Sequence, residues 1–177
     1  GFLLPRGPLR EPPESLERAG IIVLTRSGGR SDALGGTLAG LVAGRPVLRT
    51  RIRPTRLVAA DGTEMPPSHL AGRRVFAFAG IARPDSFRQT LEGLGAEVAG
   101  FRAFPDHHRY DAGVVQQIEK ALRETGAEIL VTTEKDGVKL FGVAAFSRRL
   151  FCLAVETELL DGADALETAL TVCIGRR

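Results

Sequence analysis

Tryptophan is absent from this 177-residue chain, and methionine and tyrosine each occur once. No run of about 18 apolar residues occurs, so the sequence encodes no membrane-spanning helix. Only two cysteines are present, Cys152 on a late apolar strand and Cys173 on a late helix. Their separation is not a metal-ligand spacing, and the expectation is a reduced, buried pair in a cytoplasmic compartment. Chemical signatures are missing as well. There is no G-x-x-x-x-G-K-[ST] phosphate cradle, no G-x-G-x-x-G after a strand, no G-x-S-x-G elbow and no Cys-His nucleophile pattern. Strong charge of one sign is lacking too. The net charge is +3 and the pI is near 9.3, which is mildly basic, and no nucleic-acid partner is expected. Lysine is scarce: of 24 basic residues only Lys120, Lys135 and Lys139 are lysines. The arginines suit bidentate binding of phosphate or carboxylate, although a GC-rich genome explains most of them equally well.

What remains is an ordinary soluble composition, 44% hydrophobic and 25% charged, of a length that suits one domain or one domain with a small appendage. The chain does not begin with Met, and Gly1-Phe-Leu-Leu-Pro5 reads as the interior of a longer protein. Residues 1–20 are rich in Pro and Arg, with one short helical stretch at 15–19. A buried strand is expected at 21–25 and a modest helix at roughly 31–43. Residues 46–65 read as a two- or three-stranded ribbon built from 46–53 and 55–60, with a turn at Asp61-Gly62. Arg49, Arg51 and Arg53 fall on one face of it, a positive stripe fit either for anionic headgroups or for keeping an edge strand soluble.

From Arg74 the pattern becomes βαβα. Strands are expected at 75–79, 97–101, 128–132 and 150–155, and a closing helix at 159–174. A helix at 85–94 carries Phe87, Leu91 and Leu94 at helical spacing, with Ser86 and Gln89 as a capping box and Gly95 as its stop. A second helix begins at the N-cap Asp111, presents Val114, Val115, Ile118 and Leu122, and ends at Gly126. The fold class is therefore α/β: a Rossmann-like parallel sheet with flanking helices.

Candidate chemistry gathers where strands end and helices begin, the edge at which parallel sheets bind ligands. Asp106-His107-His108 places a carboxylate beside two of the three histidines, suited to proton handling near neutral pH or to simple helix capping. No second His/Cys/Asp cluster supports a metal held by these imidazoles. In Gly80-Ile-Ala-Arg-Pro84, free N–H groups and Arg83 suit an anion, or the loop is merely a tight connection. Thr132-Thr-Glu-Lys-Asp136 offers Thr133 and Lys135 to a phosphate, or is a turn in which Lys135 pairs with Glu134 or Asp136.

Four segments in this order, Leu4-Pro-Arg-Gly-Pro-Leu-Arg-Glu11, Ala77-Phe-Ala-Gly-Ile-Ala-Arg-Pro84, Phe104-Pro-Asp-His-His108 and Thr132-Thr-Glu-Lys-Asp136, resemble the C-terminal half of the tetraacyldisaccharide 4′-kinase family across essentially the whole chain. The resemblance implies a P-loop-type kinase of two α/β lobes joined by a β-ribbon. It would transfer the γ-phosphate of ATP, with Mg²⁺, to the 4′-hydroxyl of a lipid disaccharide in lipid A biosynthesis, at the cytoplasmic face of the bacterial inner membrane. On that reading 1–45 is a remnant of the N-terminal kinase lobe, 46–66 the ribbon linker and 67–177 the C-terminal lobe, with the closing helix packing on the missing lobe. His107, beside Asp106, maps onto the family's histidine that pairs with a catalytic aspartate of the N-terminal lobe. Arg10 and Glu11 map near the nucleotide and metal, Glu11 as the metal ligand. The P-loop, the catalytic aspartate and the membrane anchor would precede Gly1, so residues 1–177 alone are expected to be inactive. The alternative of a different class is a stand-alone Rossmann-like module that binds an anion or nucleotide without catalysis.

Overall fold

Sequence-local signals set most of the elements in the computed structural model, which describes residues 2–7, 9–25, 27, 36–146 and 149–175. A 3₁₀ turn at Pro13–Arg18 precedes β1 (Ile22–Leu24), α1 (Gly36–Leu41), β2 (Val47–Ala59) and β3 (Glu64–Met65). A second 3₁₀ turn at Pro67–Leu70 leads into β4 (Arg74–Ala79), α2 (Pro84–Gly93), β5 (Glu97–Ala103), α3 (Ala112–Thr125), β6 (Ile129–Thr133) and the short α4 (Glu134–Gly137). A third at Ala144–Phe146 precedes β7 (Leu150–Asp161) and α5 (Ala163–Ile174). The chain forms two compact units, one of residues 1–53 with 157–177 and the other of 54–156.

Within 54–156 the strand order is β2-β7-β6-β4-β5, with β3 antiparallel on β2. β4 pairs parallel with β5 on one side and with β6 on the other, and β6 pairs parallel with β7. Both faces of this parallel core are covered, so its strands read as continuous apolar runs and not as alternation. The strand period of two still sorts the side chains. Val75, Ala77 and Ala79 pack with Ile129, Val131, Phe87 and Leu91 on the α2 face. Phe76, Phe78 and Leu130 pack with Val115, Ile118 and Leu122 on the α3 face. Leu91 and Ile118 have no exposed surface, and each such side chain contributes roughly 1.5–3 kcal/mol of burial.

α3 begins and ends as the sequence predicts. The Asp111 carboxylate accepts from the Val114 N–H at 2.9 Å, and Gly126 caps the end at φ 63°. The expected capping box on α2 does not form. Pro84 occupies the first turn, so the helix starts earlier, its N-cap is Arg83, and the Ser86 hydroxyl instead donates to the Arg83 carbonyl at 2.7 Å. The loop expected at 133–136 coils into α4 because the Thr133 side chain caps it. Of the helix expected at 31–43, residues 31–35 lie outside the described residues and the described part is α1.

The two strand segments expected at 46–53 and 55–60 are one continuous strand, β2, which runs through Pro54. β7 likewise continues past 155 to Asp161, and the closing helix starts at Ala163 and not at 159. In the first unit Arg49 pairs with Asp161 at 2.8 Å and Arg51 with Glu158 at 2.7 Å, so the two strands run antiparallel there. Arg56 pairs with Glu64 at 3.0 Å in the second unit. The arginine stripe is therefore charge-balanced by acidic neighbours, each exposed pair worth little by itself. Cys152 is buried in β7, and burial, then the nearby charges of Glu134 and Asp136, push its thiol up to about 12. Cys173 is exposed, against the expectation of a buried pair.

The contact between α4 and β7 is tight. A Cβ on Gly137 would stand 1.9 Å from the Cys152 Sγ. Gly137→Ala should therefore destabilise the fold by about 1–3 kcal/mol through overpacking. The double variant Gly137→Ala/Cys152→Ala should regain most of that loss. Denaturant unfolding checks both, and a single variant as stable as the parent would contradict the close packing.

Candidate functional site

Chain direction creates a topological switch point in the second unit, the place where open α/β sheets form a crevice. From β4 the chain goes to β5 on one side, then crosses to β6 on the other, and ligands of open α/β sheets bind outside the strand ends at such a switch point. Three segments meet there: Gly80 to Arg83 after β4, Phe104 to Tyr110 after β5, and Thr133 to Lys139 after β6.

At their centre lies the Asp136 carboxylate, which has no exposed surface. It accepts from the Gly80 backbone N–H at 2.7 Å, the Thr133 hydroxyl at 3.0 Å and the Lys139 ammonium at 3.3 Å. One residue before the turn, the buried Thr132 hydroxyl donates to the Phe78 carbonyl at 2.8 Å, tying β6 to β4. Glycine at position 80 leaves room for this convergence. A Cβ there would lie 3.0 Å from the Asp136 Oδ1, 3.2 Å from the Pro105 carbonyl and 3.3 Å from the Tyr110 hydroxyl. The Tyr110 hydroxyl is held protonated well above its usual range, first by burial and then by the charge of Asp136.

The two adjacent imidazoles have opposite surroundings. His108 stacks on Phe104 with centroids 4.5 Å apart and meets Tyr110 edge-on at 5.2 Å. Phe104 in turn packs edge-on against the core residue Phe78. His107 is 83% exposed and lies 3.8 Å from the Asp106 carboxylate. Its φ of 60° makes it the single non-glycine residue with positive φ among the described residues. Asp106 accepts from the His107 backbone N–H at 3.0 Å and from the Lys135 ammonium. That ammonium, as the first cause, holds the Asp106 carboxyl below the usual carboxylate range.

The structure thus brings Asp106, His107, Thr133, Lys135 and Arg83 to one sheet edge. Lys135 pairs with Asp106, and with neither Glu134 nor Asp136. The Thr133 hydroxyl is committed to Asp136, donating to its carboxylate and accepting from its N–H at 3.3 Å. Arg83 is exposed at the N-cap of α2 and has no acidic partner among the described residues. Arg10 and Glu11 belong to the first unit, where Glu11 pairs with Arg18. Among the described residues no three His, Cys, Asp or Glu side chains gather as a metal site. The sequence reading passed over Asp136, Lys139 and Tyr110 as functional groups. The available signal was lysine scarcity, since two of the three lysines fall within one five-residue stretch.

Comparison with known proteins agrees with these motifs. The family model described as tetraacyldisaccharide-1-P 4′-kinase matches residues 1–174. The tetraacyldisaccharide 4′-kinase of Anaeromyxobacter dehalogenans (strain 2CP-C) is 46% identical over 177 residues, covering 96% of this chain and 47% of the relative. That of Syntrophus aciditrophicus (strain SB) is 47% identical over 153 residues, covering 79% of this chain and 40% of the relative. The chain spans about half the length of the curated relatives it matches. The crystal structure of the "apo" form of the Aquifex aeolicus LpxK in complex with ATP superposes with a TM-score of 0.65 at 29% identity, over 95% of this chain and 47% of that one.

The hold of Lys135 on Asp106 has a pH signature. Because the folded carboxyl titrates below its ordinary value, the contact is complete above the ordinary carboxylate range and is lost as pH falls through the lowered value. Lys135→Met should return the Asp106 titration to the ordinary range in carboxyl NMR. A titration that does not move would remove Lys135 as the cause.

Proposed function

The chain belongs to the tetraacyldisaccharide-1-P 4′-kinase family, and we propose that it supplies the C-terminal part of a kinase that transfers the γ-phosphate of ATP to the 4′-hydroxyl of a lipid A disaccharide precursor. The observation that carries this reading is His107: an exposed imidazole in a left-handed conformation, at the switch-point crevice, beside a carboxylate. The remainder of the whole kinase would hold the P-loop and the aspartate that His107 orients. The whole protein would work at the cytoplasmic face of the inner membrane, where its lipid substrate resides; no described helix is long and apolar enough to cross a membrane.

Each residue has a chemical task in this reading. His107 orients or polarises the partner carboxylate and passes the proton leaving the lipid hydroxyl. Asp106 fixes the direction of the His107 imidazole and is itself fixed by Lys135. Arg10 offers a planar fork to phosphate oxygens. The guanidinium of Arg83 adds positive charge at the crevice for a phosphate of the substrate, and Lys135, already paired with Asp106, serves there through that carboxylate. Thr133 serves there through Asp136, because its hydroxyl is already committed. Bound Mg²⁺ would neutralise charge on the transferring phosphates. Glu11 fits as one hard oxygen ligand among the roughly six that Mg²⁺ requires; among the described residues no group of three His, Cys, Asp or Glu completes such a site.

In the whole kinase His107→Ala should lower kcat by about 10²–10⁴-fold with little change in KM, because the imidazole acts chiefly in the transition state. His108→Ala should affect stability more than kcat, since it removes the stack on Phe104. Residues 1–177 assayed alone serve as the control and should turn over no ATP. Near-normal kcat in His107→Ala would return His107 to a capping-loop role.

Glu11 is tested separately. Glu11→Gln should raise the Mg²⁺ concentration needed for half-maximal rate and leave the melting temperature nearly unchanged, because its exposed pair with Arg18 adds little to stability. An unchanged Mg²⁺ titration strikes Glu11 from the site.

A further inference from the structure

His107 is held on both sides by lysines from the segment that follows β6. On its N-terminal side Lys135 binds the Asp106 carboxylate, which in turn accepts the His107 N–H. On its C-terminal side the Lys139 ammonium donates to the His108 carbonyl at 3.2 Å. The same ammonium donates to the buried Asp136 carboxylate at 3.3 Å and lies 5.6 Å from the centre of the Tyr110 ring. Asp136 is itself anchored to the end of β4 through the Gly80 N–H. The loop is thus pinned immediately before and immediately after His107, the one residue of 104–110 whose backbone adopts the left-handed region.

We infer that Lys135 and Lys139 are positioning residues: they clamp the 104–110 loop around His107, impose its left-handed backbone and so set the direction of its imidazole. The inference rests on the reading of His107 as the functional imidazole and goes beyond it by naming what aims that side chain. A left-handed non-glycine residue persists only where its surroundings over-determine it. Here the determinants are charge-assisted contacts to the two flanking residues, and neither lysine needs to touch substrate. Asp136 supplies the fixed end of the clamp on the Lys139 side, since a carboxylate with no exposed surface and three donors has little freedom to move.

The test uses the whole kinase carrying Lys135→Met, Lys139→Met and both together, each alone and combined with His107→Ala. Methionine keeps the length of the side chain and removes the charge. The double lysine variant should lose on the order of 10²-fold in kcat, the cost of a misplacement of about 1 Å, with KM changed far less. Hydrogen exchange of the 104–110 peptide should rise; the melting temperature should stay close to the parent value in Lys135→Met, which breaks an exposed pair, and fall in the variants that carry Lys139→Met, which takes the cation from the buried Asp136. In the His107→Ala background the same lysine changes should cost no further kcat, because they act through the missing imidazole. Two results overturn the clamp: full kcat in the double lysine variant when His107→Ala is impaired, or an equal loss of kcat with and without His107. If His107→Ala is itself unimpaired, the His107 reading fails first. Exchange then decides what is left: faster exchange at 104–110 leaves a loop anchor without a positioning role, and unchanged exchange removes the clamp altogether.

Discussion

A carboxylate deprived of water has to be answered by donors, and the arrangement around Asp136 follows from that requirement. Leaving such a charge unpaired costs several kcal/mol, far more than one exposed ion pair returns. Three donors answer it: the Gly80 backbone at the end of β4, the Thr133 hydroxyl that opens α4, and the Lys139 ammonium just beyond α4. Because these come from two parallel strands and the segment after them, satisfying one buried group fixes the exits of β4 and β6 relative to each other. The Thr132 bond to the Phe78 carbonyl fixes the same two strands one step earlier. The third segment, 104–110, lies against both, with Phe104 on Phe78 and the His108 carbonyl on Lys139.

Much of this fold was legible because its signals are local. α3 carries an Asp cap, an i, i+3/i+4 apolar face in Val115, Ile118 and Leu122, and a terminal Gly, and each depends only on neighbours in sequence. The α2 cap was misread for an equally local reason: Ser86 and Gln89 match the capping-box spacing, but Pro84 sets φ for the first turn two residues earlier. The second half of β7 was not legible. Glu156 to Asp161 shows no strand alternation, and its acidic side chains make sense only against Arg49 and Arg51, over a hundred residues away. Asp136 escaped for the same physical reason. In sequence it is one acid in a polar turn, and only the adjacency of β4 and β6 gives it the Gly80 N–H as a partner. The candidate site was therefore readable as a set of motifs on one sheet edge, and unreadable as a network.

The two kinds of basic residue divide the work according to their shapes. Arginines line β2 and meet single carboxylates across the strands, where a planar fork is well matched and little else is demanded. At the crevice Lys139 faces a carboxylate, a backbone carbonyl and an aromatic face at once. A compact ammonium on a flexible stem satisfies such a set, and a rigid fork does not. Lysine is scarce elsewhere in the chain, and two of the three lysines stand at this edge, while the third, Lys120, makes an exposed pair with Glu124 on α3.

The neighbouring histidines show how one turn of backbone separates structure from chemistry. His108 is spent on packing, stacked on Phe104 and edge-on to Tyr110, with its carbonyl held by Lys139. His107, one residue earlier, adopts a φ of 60° and is 83% exposed. Histidine tolerates the left-handed region better than bulky or β-branched residues do, and here the side chain stands in solvent. Holding that turn costs on the order of 1–3 kcal/mol, a cost offset by the His107 N–H on Asp106 and by the lysine contacts to the two flanking residues, not by the imidazole. The imidazole is consequently left with no packing duty, and its proton chemistry is free to answer to whatever carboxylate or phosphate enters the crevice.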